Sequence, residues 1–537
     1  MESTESTKKI IIIGGGVAGL SAGIYGQKNG FETVIYEKNP WVGGSCSAWR
    51  RNGFTIDNCL HWLTGTKEGT PTRKMWIDLG VLSDSVPLVK RDIFLASRVG
   101  NQCAVLRRDL ERTRRELLEL SPEDKVIINA FLDCVLLINK LLNSNMNPKD
   151  VLHALIEHDF SESHFEFAVQ FIKYLNLNSE QIAKEFKNPA VGALFLDFMN
   201  KNYESYWLML AYGFFIDGNG DLPKDGSLGM AKNLREKYLE LGGKIILNQA
   251  ASQISIDKKK RIEKIADLVT IGQEIKKGKS YKKIVRRHAN GVLFENGEIK
   301  NADYIIAACD VNYAYQNLLG NKYTPRPLRK LLKKHGKGKP VIYSSFQVAF
   351  AVDGLFECVE DTLGIECSTL KIGTQLCSRF TIKNYRLYGD YIAPEGKTVI
   401  QVSIPQYAKD YKYWKNLNRA DYERAKKDTA EIIMKEIEKA FPEYRFRLSL
   451  LDAWTPYSYK KLNNDYLGAY MRYITTPFNL NAFMPLEVKG LDNVFLASHC
   501  LRYPGGLPTA AQTGIDCIEE IKKMENARPP FPFLFNP

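Results

Sequence analysis

The apolar positions change character along the chain. Lys8–Ile13 is a short β-branched run, which suits a buried parallel strand. A tight glycine turn follows at Gly14–Gly19. Leu20–Asn29 then has helical spacing and Gly30 closes it. Glu32–Glu37 is a second strand, completing a βαβ unit of about 30 residues, the size of one nucleotide-binding half. From Thr72 to about Met209, mixed apolar and charged segments predict amphipathic helices, among them Leu106–Leu120 and Lys125–Leu142. A helix over Leu228–Leu241 leads into strand patterns at Lys244–Leu247, Ile254–Ile256, Gly291–Phe294 and Tyr304–Ala308. Val341–Val352 and Thr398–Ile404 predict strands of more antiparallel style. Tyr422–Ala440 predicts a helix, and Val494–Leu496 with Gly514–Lys523 a last strand and helix. There is no internal repeat. No run reaches about 18 apolar residues, the length of a membrane span. Val126–Leu142 comes nearest and is broken by Asn129, Asp133 and Asn139.

The length of 537 residues exceeds one compact core and predicts at least two lobes. The nucleotide-type material occurs in three pieces. The expected division is therefore a discontinuous Rossmann-type domain over 1–72, 210–319 and 486–537. A second lobe covers 73–209 and 320–485. The fold class is α/β, a Rossmann-type domain joined to an α+β lobe of mixed sheet and helices.

The first glycine turn carries the chemistry. Gly14, Gly16 and Gly19 form a GxGxxG spacing between a strand and a helix. Such a turn brings backbone close to a pyrophosphate and aims a helix N-terminus at it. Glu37 ends the second strand, 18 residues after Gly19. A carboxylate there accepts ribose hydroxyls and repels a 2′-phosphate, which argues against NADP. A second glycine pair, Gly43–Gly44, follows, then Arg50, Arg51, Gly53, Phe54 and Asp57. That is more than NAD binding requires and favours FAD.

The glycine pair after the ribose carboxylate resembles the extended FAD motif of the flavin amine oxidase and phytoene desaturase superfamily. Three further blocks are similar to its carotenoid desaturase branch, which includes carotenoid isomerases and retinol saturases. They are Leu222–Ser227 with Leu241–Ile245, then Ala302–Asp310, then Leu491–Gly514. Asp225, Cys309 and Ser498 depart from the family's usual glycine, alanine and glycine. The resemblance implies a GR2-like FAD domain. It places cofactor contacts on Gly14, Gly15, Gly16, Val17, Ala18 and Gly19, on Glu37 and Lys38, and on Gly43, Gly44 and Ser45. Further contacts fall on Ala251, Asp310, Ser498, Gly505, Gly506 and Leu507. It also implies chemistry at carbon–carbon double bonds of an apolar polyene, isoprenoid or unsaturated fatty acid, by desaturation, saturation or isomerisation. A flavin oxidase of a polar amine and a non-catalytic FAD-binding protein are the competing readings. No second GxGxxG points to a separate NAD(P)H domain.

His61, in the segment after the flavin motif, and His499, beside the last block, are the candidate catalytic residues. Either is equally readable as a structural histidine. Arg502 and Tyr503 are candidates to meet a carboxylate or hydroxyl of the substrate. Phe171, Tyr174, Tyr206, Trp207, Leu208, Met209, Tyr212, Phe214 and Phe215 are candidates to line a lipid-sized tunnel, with ordinary core as the plain alternative for each. No metal-ligand spacing occurs.

The charge is +13, from 74 basic and 61 acidic residues. Much of the excess falls in Lys258–Arg287, with 12 Lys or Arg against Glu263, Asp267 and Glu274, and again between Arg326 and Lys339. The first run reads as a solvated insertion or as a peripheral contact with anionic lipid. Specific nucleic-acid binding is not expected. Ten unpatterned cysteines and the absence of a signal-peptide pattern predict a reduced, cytoplasmic setting. The Pro- and Phe-rich tail Pro529–Pro537 has no assigned role.

Overall fold

Ile10, Ile11 and Ile12 are each 0% exposed, as a strand flanked on both faces demands. Burial of each such side chain contributes about 1.5–3 kcal/mol. In the computed structural model this strand, Lys9–Ile13, is the centre of a five-stranded parallel sheet. The order across the sheet is Val494–Leu496, Tyr304–Ala307, Lys9–Ile13, Glu32–Tyr36 and Lys244–Ile246. Its strands therefore come from three separated stretches of sequence. The structure describes residues 7–143, 173–174, 176–199, 201–271, 274–326, 328–329, 342–358, 361–470, 484–502 and 505–527.

The helix Val17–Lys28 crosses from the first strand to the second. The final helix, Gly506–Ala527, packs directly on it. Gly514 makes that approach feasible, because a Cβ there would stand 2.2 Å from the Ala18 carbonyl oxygen. The Lys244–Leu247 and Tyr304–Ala308 patterns end one residue sooner than expected, and the last helix begins eight residues before Gly514.

A seven-stranded sheet forms the second layer. Its order is Leu448–Trp454, Tyr343–Val352, Thr398–Tyr407, Gln375–Asn384, Thr362–Ile372, Ile93–Val99 and Gln102–Arg107. All neighbours are antiparallel except Thr362–Ile372 beside Ile93–Val99. The expected helix Leu106–Leu120 is divided. Leu106 belongs to the last of these strands, and the helix starts at Leu110, capped by Asp109, which accepts from Arg112 N at 2.9 Å. Tyr206–Ile216 and Lys125–Asn143 pack together as part of a helical layer.

The basic insertion is a long antiparallel ribbon, Ala251–Ile271 paired with Glu274–Phe294. Its base is anchored by Ala251, Ile254, Ala289, Val292 and Phe294, all buried in the core of the parallel sheet. Trp76, Leu79 and Leu82 pack in that same core, as do Tyr385, Tyr388 and Val399 from the far part of the chain. Among the described residues no helix is long and apolar enough to cross a membrane. Phe171, Tyr503 and the tail 529–537 lie outside the described residues, as does most of the charge run 326–339.

Candidate functional site

The glycine turn is shaped by close approach. Gly14 has φ +108°, and a Cβ on it would stand 2.4 Å from the Ala308 carbonyl oxygen. A Cβ on Gly19 would stand 2.0 Å from the Gly14 carbonyl oxygen, so Gly19 seats the helix rather than facing the site. Gly15 likewise faces inward, its N–H donating to Glu37 Oε2 at 2.7 Å. Gly16 differs, since the nearest atom to its Cβ position is Gly44 Cα at 3.8 Å. The second glycine pair closes on this turn, with Gly43 N donating to Gly15 O at 2.9 Å.

These residues open on one cavity of about 1160 Å³. Gly14, Gly16, Val17 and Ala18 line it, with Glu37, Lys38, Gly43, Gly44 and Ser45. The first-turn N–H groups of the helix have no intrahelical partner and carry its positive dipole end. Glu37 also accepts from Asn39 N at 2.9 Å, and its oxygens retain lone pairs for further donors. Ala251, Asp310, Ser498, Gly505, Gly506 and Leu507 line the same cavity, so residues from distant blocks converge on it. Of the expected cofactor residues, Gly15 and Gly19 alone do not line it.

Several groups there were not anticipated from the sequence. Gln249 lines the cavity, and its Nε2 is buried without a partner among the described residues. Asn463 closes over the glycine end, with Nδ2 donating to Ser45 Oγ at 3.0 Å. The glycine cradle leaves room for a phosphate at Gly16, and Glu37 keeps acceptor capacity for ribose hydroxyls. The residues present thus fit a dinucleotide cofactor.

Beyond the glycine cradle the walls become aromatic. Trp62, Phe94 and Phe198 stand 5.6–6.0 Å apart, ring to ring. Trp207 and Phe214 from the expected tunnel residues join them, whereas Tyr174, Leu208, Met209, Tyr212 and Phe215 are buried in the adjoining core. Tyr206 packs against that core. Arg502 is ion-paired with Asp516 and so already has its carboxylate. His499 lines the cavity, 3.6 Å from Cys500 Sγ.

His61 also lines the cavity and makes no hydrogen bond within the described residues. Burial, then the positive charges of Lys383 and Arg91, push its imidazole down to about 4, against the opposing pull of Asp361. It is therefore neutral at pH 7, a hydrogen-bonding group or base rather than a cationic proton donor. Arg91 and Lys383 both line the cavity and share the carboxylate of Asp361, Arg91 Nη1 at 2.6 Å. Burial raises Asp361, but its two cations outweigh this and hold it down at about 2. Burial pushes Lys383 down to about 8, with Asp361 opposing and Arg91 adding to the effect. No signal in the sequence marked this triad. Asp361 and Lys383 meet at the open end of one antiparallel hairpin, and Arg91 comes from a distant part of the chain.

The model of the family described as flavin containing amine oxidoreductase matches residues 17–521. A 4,4′-diaponeurosporene oxygenase of Staphylococcus haemolyticus is 22% identical, over 97% of this chain and 98% of its own. A 4,4′-diapophytoene desaturase (4,4′-diapolycopene-forming) of Methylomonas sp is 23% identical, over 74% of this chain and 73% of its own. An oxidoreductase structure from Methanosarcina mazei covers 95% of this chain and 100% of its own, with TM-score 0.57 and 15% identity. A redesigned putrescine oxidase covers 96% and 99%, with TM-score 0.57 and 11% identity. The two structures share the fold. The protein is an FAD-dependent oxidoreductase, and the chain belongs to the flavin containing amine oxidoreductase family.

Proposed function

We propose that this oxidoreductase changes the unsaturation of a long apolar polyene, isoprenoid or unsaturated fatty acid. The observation that carries the proposal is the continuity of the cavity. It runs from the glycine cradle to the Trp62, Phe94 and Phe198 rings without a break, and its 1160 Å³ exceeds the roughly 300–1,000 Å³ of a single-ligand pocket. That size accommodates a cofactor and a long substrate in one continuous cavity. The relatives named as a desaturase and an oxygenase of diapocarotenoids support the same substrate class. Bound FAD supplies a two-electron donor or acceptor at its ring system, which needs few protein acids or bases.

The chain's own residues then have three tasks. The glycine cradle and Glu37 hold the nucleotide. The aromatic walls exclude water and orient the chain of double bonds. His61, neutral, offers a ring nitrogen to accept or relay a proton at the reacting carbon. The basic ribbon 258–287 supports a peripheral contact with anionic lipid, from which such a substrate is drawn.

The test is anaerobic incubation of the FAD-loaded protein with a C30 or C40 polyene in micelles. The expected result is a shift of the polyene absorption, with or without bleaching of the flavin. Turnover of putrescine with peroxide release, and an unchanged polyene, would reverse the assignment in favour of an amine oxidase.

A further inference from the structure

The wall of the substrate compartment carries a charge imbalance. Arg91, Asp361 and Lys383 have side chains only 2%, 2% and 5% exposed. Two cations share one carboxylate. Asp57 also acts on Lys383, but it accepts its own hydrogen bonds from Ser227, Leu60 and Cys59 and makes no ion pair with Lys383 among the described residues. The contact cluster itself is therefore net positive at neutral pH. The neighbouring half-buried cations Arg379 and Arg108 each pair with a buried carboxylate, Asp197 and Asp221. The imbalance also has a direction. Arg91 and Lys383 line the cavity, whereas Asp361 does not and stands behind them.

Arg91 uses Nη1 on Asp361 and Nη2 on the Gly220 carbonyl at 2.8 Å, and its Nε is buried without a partner among the described residues. Asp361 also accepts from Thr362 Oγ1 at 2.8 Å, so three donors already converge on its carboxylate. His61 adds an imidazole with no hydrogen bond of its own. An uncompensated charge is costly inside a protein unless a ligand neutralises it.

We propose that this cluster is a carboxylate-binding subsite, which makes the substrate a long unsaturated chain ending in a carboxylic acid. Its carboxylate neutralises Lys383 and Arg91 while the chain lies along the aromatic walls. Charge-assisted hydrogen bonds of this kind are about twice as strong as neutral ones. The inference rests on the proposed chemistry at carbon–carbon double bonds, and within that class it selects unsaturated acids over pure hydrocarbons.

The test compares linoleate with methyl linoleate on the FAD-loaded protein, using titration of tryptophan fluorescence. Linoleate should bind about tenfold tighter or more, the ratio given by one charge-assisted contact. Lys383→Met leaves the neutral Arg91–Asp361 pair. It should erase the preference, leave ester affinity and FAD content unchanged, and raise the thermal midpoint of the ligand-free protein. Lys383→Arg keeps the charge and should keep the preference. Equal binding of acid and ester by the wild type would overturn the subsite, and so would a preference that survives in Lys383→Met. A Lys383→Met variant that shifts the flavin potential while leaving linoleate affinity intact would reassign the charge to the cofactor, also overturning it. Linoleate bound selectively but never altered would leave the subsite standing and remove the proposed reaction. A hydrocarbon polyene converted without any acid preference would do the reverse.

Discussion

At Gly16 the fold and the cofactor make separable demands. Its φ of −74° is open to any residue, and a Cβ there meets nothing closer than 3.8 Å. Gly14 has no such freedom, with φ +108° and a carbonyl oxygen at 2.4 Å. Gly16→Val should therefore fold, with a thermal midpoint close to that of FAD-free wild type, yet lose nearly all bound flavin by filling the phosphate position. Flavin occupancy of the purified variant reads this directly, and full occupancy would contradict the loop assignment. His61 makes a different prediction. Its imidazole is held near 4 in the fold against about 6.5 in an unfolded chain, so between these values the unfolded state binds the extra proton. Stability attributable to His61 is complete above pH 6.5 and is lost as pH falls towards 4. His61→Gln, which cannot titrate, should flatten that fall, by up to about 3 kcal/mol. Parallel denaturation curves for wild type and variant from pH 7 to 4 would exclude the effect.

The basic ribbon is the element whose removal separates fold from surface chemistry. At its base, Ala251, Ile254, Ala289, Val292 and Phe294 are buried. Joining the strands by a short turn in place of 258–285 should preserve flavin content and thermal midpoint. It should also weaken co-sedimentation with phosphatidylserine vesicles, the loss being largest at low salt because such attraction is screened within a Debye length. Undiminished vesicle binding would detach the ribbon from lipid. Elements differed in how far the sequence disclosed them. Lys9–Ile13 and Tyr304–Ala307 are buried on both faces, which leaves a continuous apolar run that can be read without any partner. Thr362–Ile372 and Gln375–Asn384 alternate irregularly between buried and exposed positions, and a register shift between Glu366 and Leu370 breaks the period. No period survives to identify them. The cofactor half of the site was legible for a local reason, as its glycines fall at fixed offsets within one turn. Arg91 lies 270 residues from Asp361, and only the sheet brings them together.

At the scale of the whole molecule, the cavity lies where the two sheet layers meet, and Val399 of the antiparallel sheet also packs in the core of the parallel one. Gly14 and Glu37 face it from the parallel sheet, while Gln347, Thr381 and Ser403 face it from the antiparallel one. A ligand seated there touches both layers and is bound only when both are folded and in place. Binding energy for FAD is therefore folding energy for the assembled protein, and it grows with free cofactor as RT ln(1 + [FAD]/Kd). At a hundredfold excess over Kd the gain is about 2.7 kcal/mol. Removal of FAD should lower the unfolding midpoint, and re-addition should restore it in a concentration-dependent way. Gly16→Val supplies the control, because its midpoint should not respond to added FAD over the range that shifts the wild type. Calorimetric scans across an FAD titration check both proteins at once. A wild-type midpoint indifferent to FAD would mean that the cofactor does not bridge the two sheets. A Gly16→Val midpoint that rises with the wild type's would mean that it enters without passing the first glycine turn.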